Sequence, residues 1–87
     1  MDTLKVWEEL EKSGFFAKMR EKLQKRSEKN VDPACLENIT YESLLVHLVG
    51  EINELKTAVL EKTDVEGELA DVANMCGLLF AKLEEGK

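Results

Sequence analysis

The chain has 87 residues, and its 18 Asp and Glu against 12 Lys and Arg give a formal net charge of -6, with 44% hydrophobic and 34% charged residues. That length sets one domain, residues 1–87, as the ceiling, and a monomer this small buries only about 60% of the surface its unfolded chain exposes, which presses it toward self-association. No run of about 18 apolar residues and no charged-then-apolar leader occurs, so a cytoplasmic protein without membrane spans is expected; the acidic balance disfavours a nucleic-acid polymer and admits divalent cations.

Five glycines and one proline leave little punctuation, and no stretch alternates β-branched and polar residues as an exposed strand would. The chain therefore reads as all-α, a small helical bundle. Asp2 can cap a first helix carrying Leu4, Trp7, Leu10, Phe15, Phe16, Met19 and Leu23 at helical spacing, and Ser13-Gly14 leaves open whether this is one helix or two. Periodicity stops from Asn30 to Thr40, where Asp32-Pro33 suits at most a short helical turn. Thr40 then caps a helix from about Tyr41 to Lys62, with a stripe of Tyr41, Leu44, Leu45, Leu48, Ile52, Leu55 and Val59.

Thr63 with Glu66 three residues on is a capping-box pattern, opening a last helix that runs to about Glu84. So short a connection predicts an antiparallel hairpin. On the last helix Val65, Leu69, Val72, Cys76, Phe80 and Leu83 form the expected core stripe, while Met75, Leu78 and Leu79 extend apolar surface around the other side. A helix apolar on most sides must be enclosed on most sides, which predicts a subunit interface here. Cys35 and Cys76 lack C-x-x-C spacing and read as reduced thiols, with Cys76 a small core residue.

Four carboxylates stand out by spacing. Glu51 and Glu54 are three apart on the long helix, and Glu68 and Asp71 are three apart on the last, so each pair projects from adjacent turns of one face. Across a tight hairpin the pairs can converge. Four carboxylates held together repel one another and need a cation or raised pKa values. An oxygen-only set suits Mg²⁺ or Mn²⁺, whereas the single His47 and two scattered thiols make no zinc set. The chemistry that follows is metal-assisted attack of water on a phosphate ester or anhydride. Acid pairs also occur on ordinary solvated faces, as Glu8 with Glu11 illustrates.

The segments His47-Leu-Val-Gly-Glu-Ile-Asn-Glu-Leu55 and Glu66-Gly-Glu-Leu-Ala-Asp-Val-Ala-Asn74 resemble the two halves of the signature of the MazG-like, all-α nucleoside triphosphate pyrophosphohydrolases: E-x-x-E, a gap of a dozen or more residues, then E-x-x-D. The resemblance covers roughly Tyr41 to Leu83. It implies a Mg²⁺-dependent hydrolase cleaving a nucleotide between its α and β phosphates, giving the monophosphate and pyrophosphate. It also implies a bundle completed by homo-oligomerisation, as a dimer or tetramer. By position, Glu51, Glu54, Glu68 and Asp71 become the metal ligands and catalytic carboxylates, and Asn74 a contact to phosphate or sugar. The position before the first motif Glu, a second Glu in many members, is Gly50 here.

Lys18, Arg20, Lys22, Lys25, Arg26 and Lys29 form a basic stretch that suits triphosphate oxygens, although most such residues sit on solvated faces. Arg20, next to Met19 at the edge of the apolar stripe, is the substrate contact chosen from among them. Trp7, Phe15, Phe16 and Tyr41 have the spacing of core residues more than of base-stacking ones, and His47, one turn before Glu51, reads as structural. Two other functions fit the same residues: a phosphoribosyl-ATP pyrophosphohydrolase, and a non-catalytic helical oligomerisation module with a degenerate acidic site.

Overall fold

The computed structural model describes residues 2–29 and 39–85, and among them the protein is all-helical: α1 Thr3–Lys12, α2 Phe15–Lys29, α3 Tyr41–Glu61 and α4 Val65–Glu85. The expected turn at Asp32-Pro33, and Cys35, lie outside the described residues. None of the described helices is long and apolar enough to cross a membrane.

Local chemistry accounts for the boundaries. Asp2 has extended backbone and its carboxylate accepts from the Leu4 N–H at 3.0 Å, capping α1. Gly14 decides between one helix and two: its φ of +83° breaks the ladder, a left-handed value that an L side chain rarely adopts. The Ser13 hydroxyl donates to the Leu10 carbonyl at 2.9 Å and accepts from the Phe15 N–H at 3.3 Å, so one side chain ends α1 and starts α2. Thr40 caps α3 as expected, its Oγ1 accepting from the Ser43 N–H at 3.1 Å.

The α3–α4 connection is a three-residue turn, but its cap differs from the expected Thr63–Glu66 box. Lys62 closes α3 in the left-handed conformation, and Asp64, one residue later than Thr63, takes the cap by accepting from the Gly67 N–H at 3.0 Å. A carboxylate is a stronger acceptor for an unpaired helix N–H than a hydroxyl and also complements the helix dipole.

The two long helices form the antiparallel hairpin that the short turn demands, with α2 packed on α4 and α1 on α2. Leu44, Leu48, Glu51, Leu55 and Ala58 are the α3 residues turned inward, at spacings of four and three, the phase of a coiled-coil seam. Leu44, Met75 and Leu79 form the buried core cluster, with Ile39, Leu48 and Leu78 against it.

Four of the six residues expected to form the core stripe of the last helix face outward, while Val65 and Val72 are half-buried. Gly67, Ala70, Asn74, Met75 and Leu79 are buried, whereas Leu69, Cys76, Phe80 and Leu83 are exposed, Phe80 at 64%. Cys76 is accordingly a free, exposed thiol and not a core residue. The reason lies in α4 being gripped from two sides, by α2 and α3. Ala70, fully buried, takes little room in that contact, and polar ties between α2 and α4 fix the rotation, leaving the bulkier stripe outward. Apolar side chains on α3 are likewise exposed, among them Leu45, Val49, Ile52 and Val59.

Candidate functional site

The hairpin brings Glu51, Glu68 and Asp71 together, each half-buried and each offering a carboxylate oxygen within 4.8 Å of the others. Glu51 reaches this point because it occupies an inward position of the α3 seam, between Leu48 and Leu55. Glu68 and Asp71 come from the first two turns of α4, beside the Asp64 cap. Four carboxylates are expected together, and Glu54 is the peripheral one: its side chain is exposed. It still feels the cluster. Hydrogen bonding to Glu51 and the like charge of that carboxylate push the Glu54 carboxyl above its usual range, and desolvation, Glu68 and Asp71 add to the shift.

Two oxygens of the cluster, Glu51 Oε2 and Glu68 Oε2, are buried and have no hydrogen-bond partner. A buried carboxylate oxygen without a donor is costly, by about 1–3 kcal/mol or more where it carries charge. Hard, oxygen-only donors with orphaned lone pairs fit a divalent cation such as Mg²⁺ or Mn²⁺ and do not fit zinc, whose sites draw on imidazole and thiolate.

The other face of the cluster is basic and comes from α2. Arg26 Nη2 donates to Glu51 Oε1 at 2.7 Å while Nη1 reaches Met75 Sδ at 3.2 Å, and Lys22 Nζ lies 3.3 Å from Asp71 Oδ2. Burial alone lowers the Lys22 ammonium pKa, but the hydrogen bond to Asp71 and the charges of Asp71, Glu68 and Asp64 outweigh it, so Lys22 is held above its ordinary value. Both residues belong to the basic stretch in which Arg20 is the expected substrate contact; Arg20 is exposed, and it is Lys22 and Arg26 that meet the carboxylates. The signal that distinguishes them is phase. Phe15, Met19, Lys22 and Arg26 run at spacings of four, three and four, so the two cations continue the inward face begun by two apolar residues.

Asn74 is buried, 9% exposed, and its Nδ2 donates to the Met19 carbonyl at 2.8 Å. Its amide thus ties α2 to α4 one turn beyond Asp71. His47 is exposed. Beside the carboxylates a shallow groove opens at the turn end of the hairpin, lined by Asn53, Glu54, Thr57, Ala58, Thr63 and Glu68. Trp7 and Phe16 meet at the start of α2 with their rings tilted at 55° and centroids 5.5 Å apart.

Compared with known proteins, the chain matches no family model, no curated protein and no solved structure.

Proposed function

We propose that the protein is a Mg²⁺-dependent nucleoside triphosphate pyrophosphohydrolase of the MazG-like kind, cleaving between the α and β phosphates. The observation that carries this reading is the convergence of Glu51, Glu68 and Asp71 with two buried carboxylate oxygens left unpartnered, in the E-x-x-E and E-x-x-D spacing of that family. Glu51, Glu68 and Asp71 would hold the ion, with Glu54 at its edge. Mg²⁺ bound there supplies neutralisation of phosphate charge and a water of lowered pKa.

The chain's own groups divide the remaining work. Glu54, exposed at the edge of the cluster, is placed to take a proton from an attacking water as a general base. The groove beside Glu54 and Glu68, lined with Asn53, Thr57 and Thr63, offers polar contacts to a polyphosphate.

Self-association belongs to the same reading, as a homodimer or homotetramer. Among the described residues, more large apolar side chains are exposed than buried. Leu45, Val49, Ile52 and Val59 on α3, and Leu69, Cys76, Phe80 and Leu83 on α4, repeat at spacings of three, four and seven. A stripe in that phase takes another helix knobs-into-holes, and a second copy of the hairpin supplies one.

The test is direct. The full chain is incubated with a nucleotide panel and Mg²⁺ and released pyrophosphate is measured, with Glu68→Ala and Asp71→Ala alongside. Turnover lost in both variants supports the proposal; no turnover of any nucleotide, or variants as active as the parent, overturns it. The non-catalytic oligomerisation module is favoured by one observation, the neutralisation of Glu51 and Asp71 by Arg26 and Lys22, and predicts an oligomer without turnover.

A further inference from the structure

Glu51 divides its two oxygens. Oε1 accepts from Arg26 at 2.7 Å, and Oε2 is buried without a partner. Asp71 likewise commits Oδ2 to Lys22 at 3.3 Å. The Arg26 guanidinium is anchored a second time by Nη1 on the sulfur of Met75, itself 1% exposed, so it is built into the α2–α4 contact. At the Glu51 end, then, the orphaned oxygen is not the one its basic partner occupies, and a cation can be taken up there without expelling Arg26.

Charge balance then constrains what kind of cation. Glu51, Glu54, Glu68 and Asp71 together carry four negative charges when ionised, and Lys22 and Arg26 leave two uncompensated, Asp64 being engaged separately at the α4 N-terminus through the Gly67 N–H. A divalent ion cancels that remainder. Without the two basic residues, the same cage would carry four charges and favour an ion of higher charge, since Coulomb energy scales with ionic charge at fixed distance.

We infer that Lys22 and Arg26 are permanent counter-ions of the carboxylate cluster, positioning residues that set its residual charge so that it selects a divalent over a trivalent cation. This rests on the metal-site reading above. In this role the two residues act through Glu51 and Asp71 and never need to touch substrate.

The experiment measures Mn²⁺ binding by electron paramagnetic resonance and Tb³⁺ binding by luminescence on the full chain, for the parent, Lys22→Gln, Arg26→Gln and Arg26→Lys. Loss of one adjacent positive charge strengthens Mn²⁺ binding roughly tenfold, and the same interaction with three ionic charges instead of two strengthens Tb³⁺ roughly thirtyfold. The Tb³⁺ to Mn²⁺ affinity ratio therefore rises about threefold in either Gln variant and stays at the parent value in Arg26→Lys. A merely structural role moves both ions together, so parallel weakening, or an unchanged ratio, overturns the inference while leaving the metal site standing. If neither ion binds the parent or any variant, the metal reading falls and this inference falls with it. Lys22→Gln, at the longer of the two ion pairs and without the second anchor that Arg26 makes on Met75, keeps the test decisive should Arg26→Gln not fold.

Discussion

Arg26 and Glu51, 25 positions apart, meet at 2.7 Å where three helices converge, and the carboxylate side chain of the pair is only 13% exposed. A charge so placed depends on its partner. Removing Arg26 leaves the Glu51 carboxylate without its counter-charge beside Glu68 and Asp71, whereas neutralising both partners strands nothing. Arg26→Met is expected to lower unfolding stability by about 1–3 kcal/mol, less than a fully buried pair costs because Arg26 is 33% exposed. Glu51→Gln restores part of that loss in the double variant. Urea denaturation of the four-member cycle checks it; additive single effects would show that the two side chains do not interact.

Glu54 gives a pH signature of opposite sign to that of a salt-bridged acid. Its carboxyl is held above the ordinary value of 4.5 by Glu51 first, and by its other carboxylate neighbours after that. A folded-state pKa above the unfolded one means that this group's contribution to stability is fully present below the unfolded value. It is lost as pH rises through the folded value. At pH 7 ionised Glu54 therefore weakens the metal-free fold. Glu54→Gln is expected to melt higher than the parent at pH 7, with the advantage fading as pH falls below 4.5. Thermal melts of both proteins in chelator across that window test it, and a Gln variant less stable at pH 7 would contradict the crowding of these carboxylates.

The α3–α4 turn makes a prediction in which two substitutions change each other's sign. Asp64 caps α4 through the Gly67 N–H at 3.0 Å, and a Cβ on Gly67 would collide with that same carboxyl group. Asp64→Ala loses the cap, at about 1 kcal/mol. Gly67→Ala gains helix propensity of about 1 kcal/mol but displaces the cap, so in the parent it yields nothing or a loss. In the Asp64→Ala background the collision is gone and Gly67→Ala is expected to stabilise. Denaturant midpoints of the two singles and the double measure the reversal.

Much of this architecture is legible in the residues themselves, and the part that is not has a physical reason. Asp2 and Thr40 announce helix starts because a short polar side chain before a periodic run has one thing to do, which is accept from an unpaired N–H. The carboxylate pairs are visible because three-residue spacing fixes a helix face whatever surrounds it. The rotation of α4 is hidden because that helix is apolar on both sides, so periodicity alone cannot rank Leu69, Cys76 and Phe80 against Met75 and Leu79. The decision is taken by tertiary ties, Lys22 to Asp71 and Asn74 to the Met19 carbonyl. The sequence hint was the polar residue in a core phase: Glu51 in the Leu44-to-Ala58 seam, and Lys22 and Arg26 continuing Phe15 and Met19. A polar residue held in such a phase is a departure from local patterning of the kind expected at functional or strained sites.

The outward stripes set the last expectation. Ile52 is 47% exposed and Phe80 64% exposed, and fully burying a side chain of either kind stabilises by roughly 1.5–3 kcal/mol. In the proposed homo-oligomer, that contribution would come from a second copy seated on the α3 and α4 stripes. Ile52→Lys and Phe80→Glu each place a charge where the partner helix would pack, and a charge desolvated without a partner costs more than the apolar contact gains. Each variant is expected to sediment at the monomer mass at concentrations where the parent sediments as a dimer or tetramer. The parent's melting temperature should rise with protein concentration while the variants' should not, because association stabilises by mass action. The α-helical content of each variant, read by circular dichroism, separates lost association from lost folding, since neither residue contributes to the buried Leu44, Met75 and Leu79 cluster. A parent chain that sediments as a monomer throughout would leave both stripes facing water and remove the second copy from the proposed assembly.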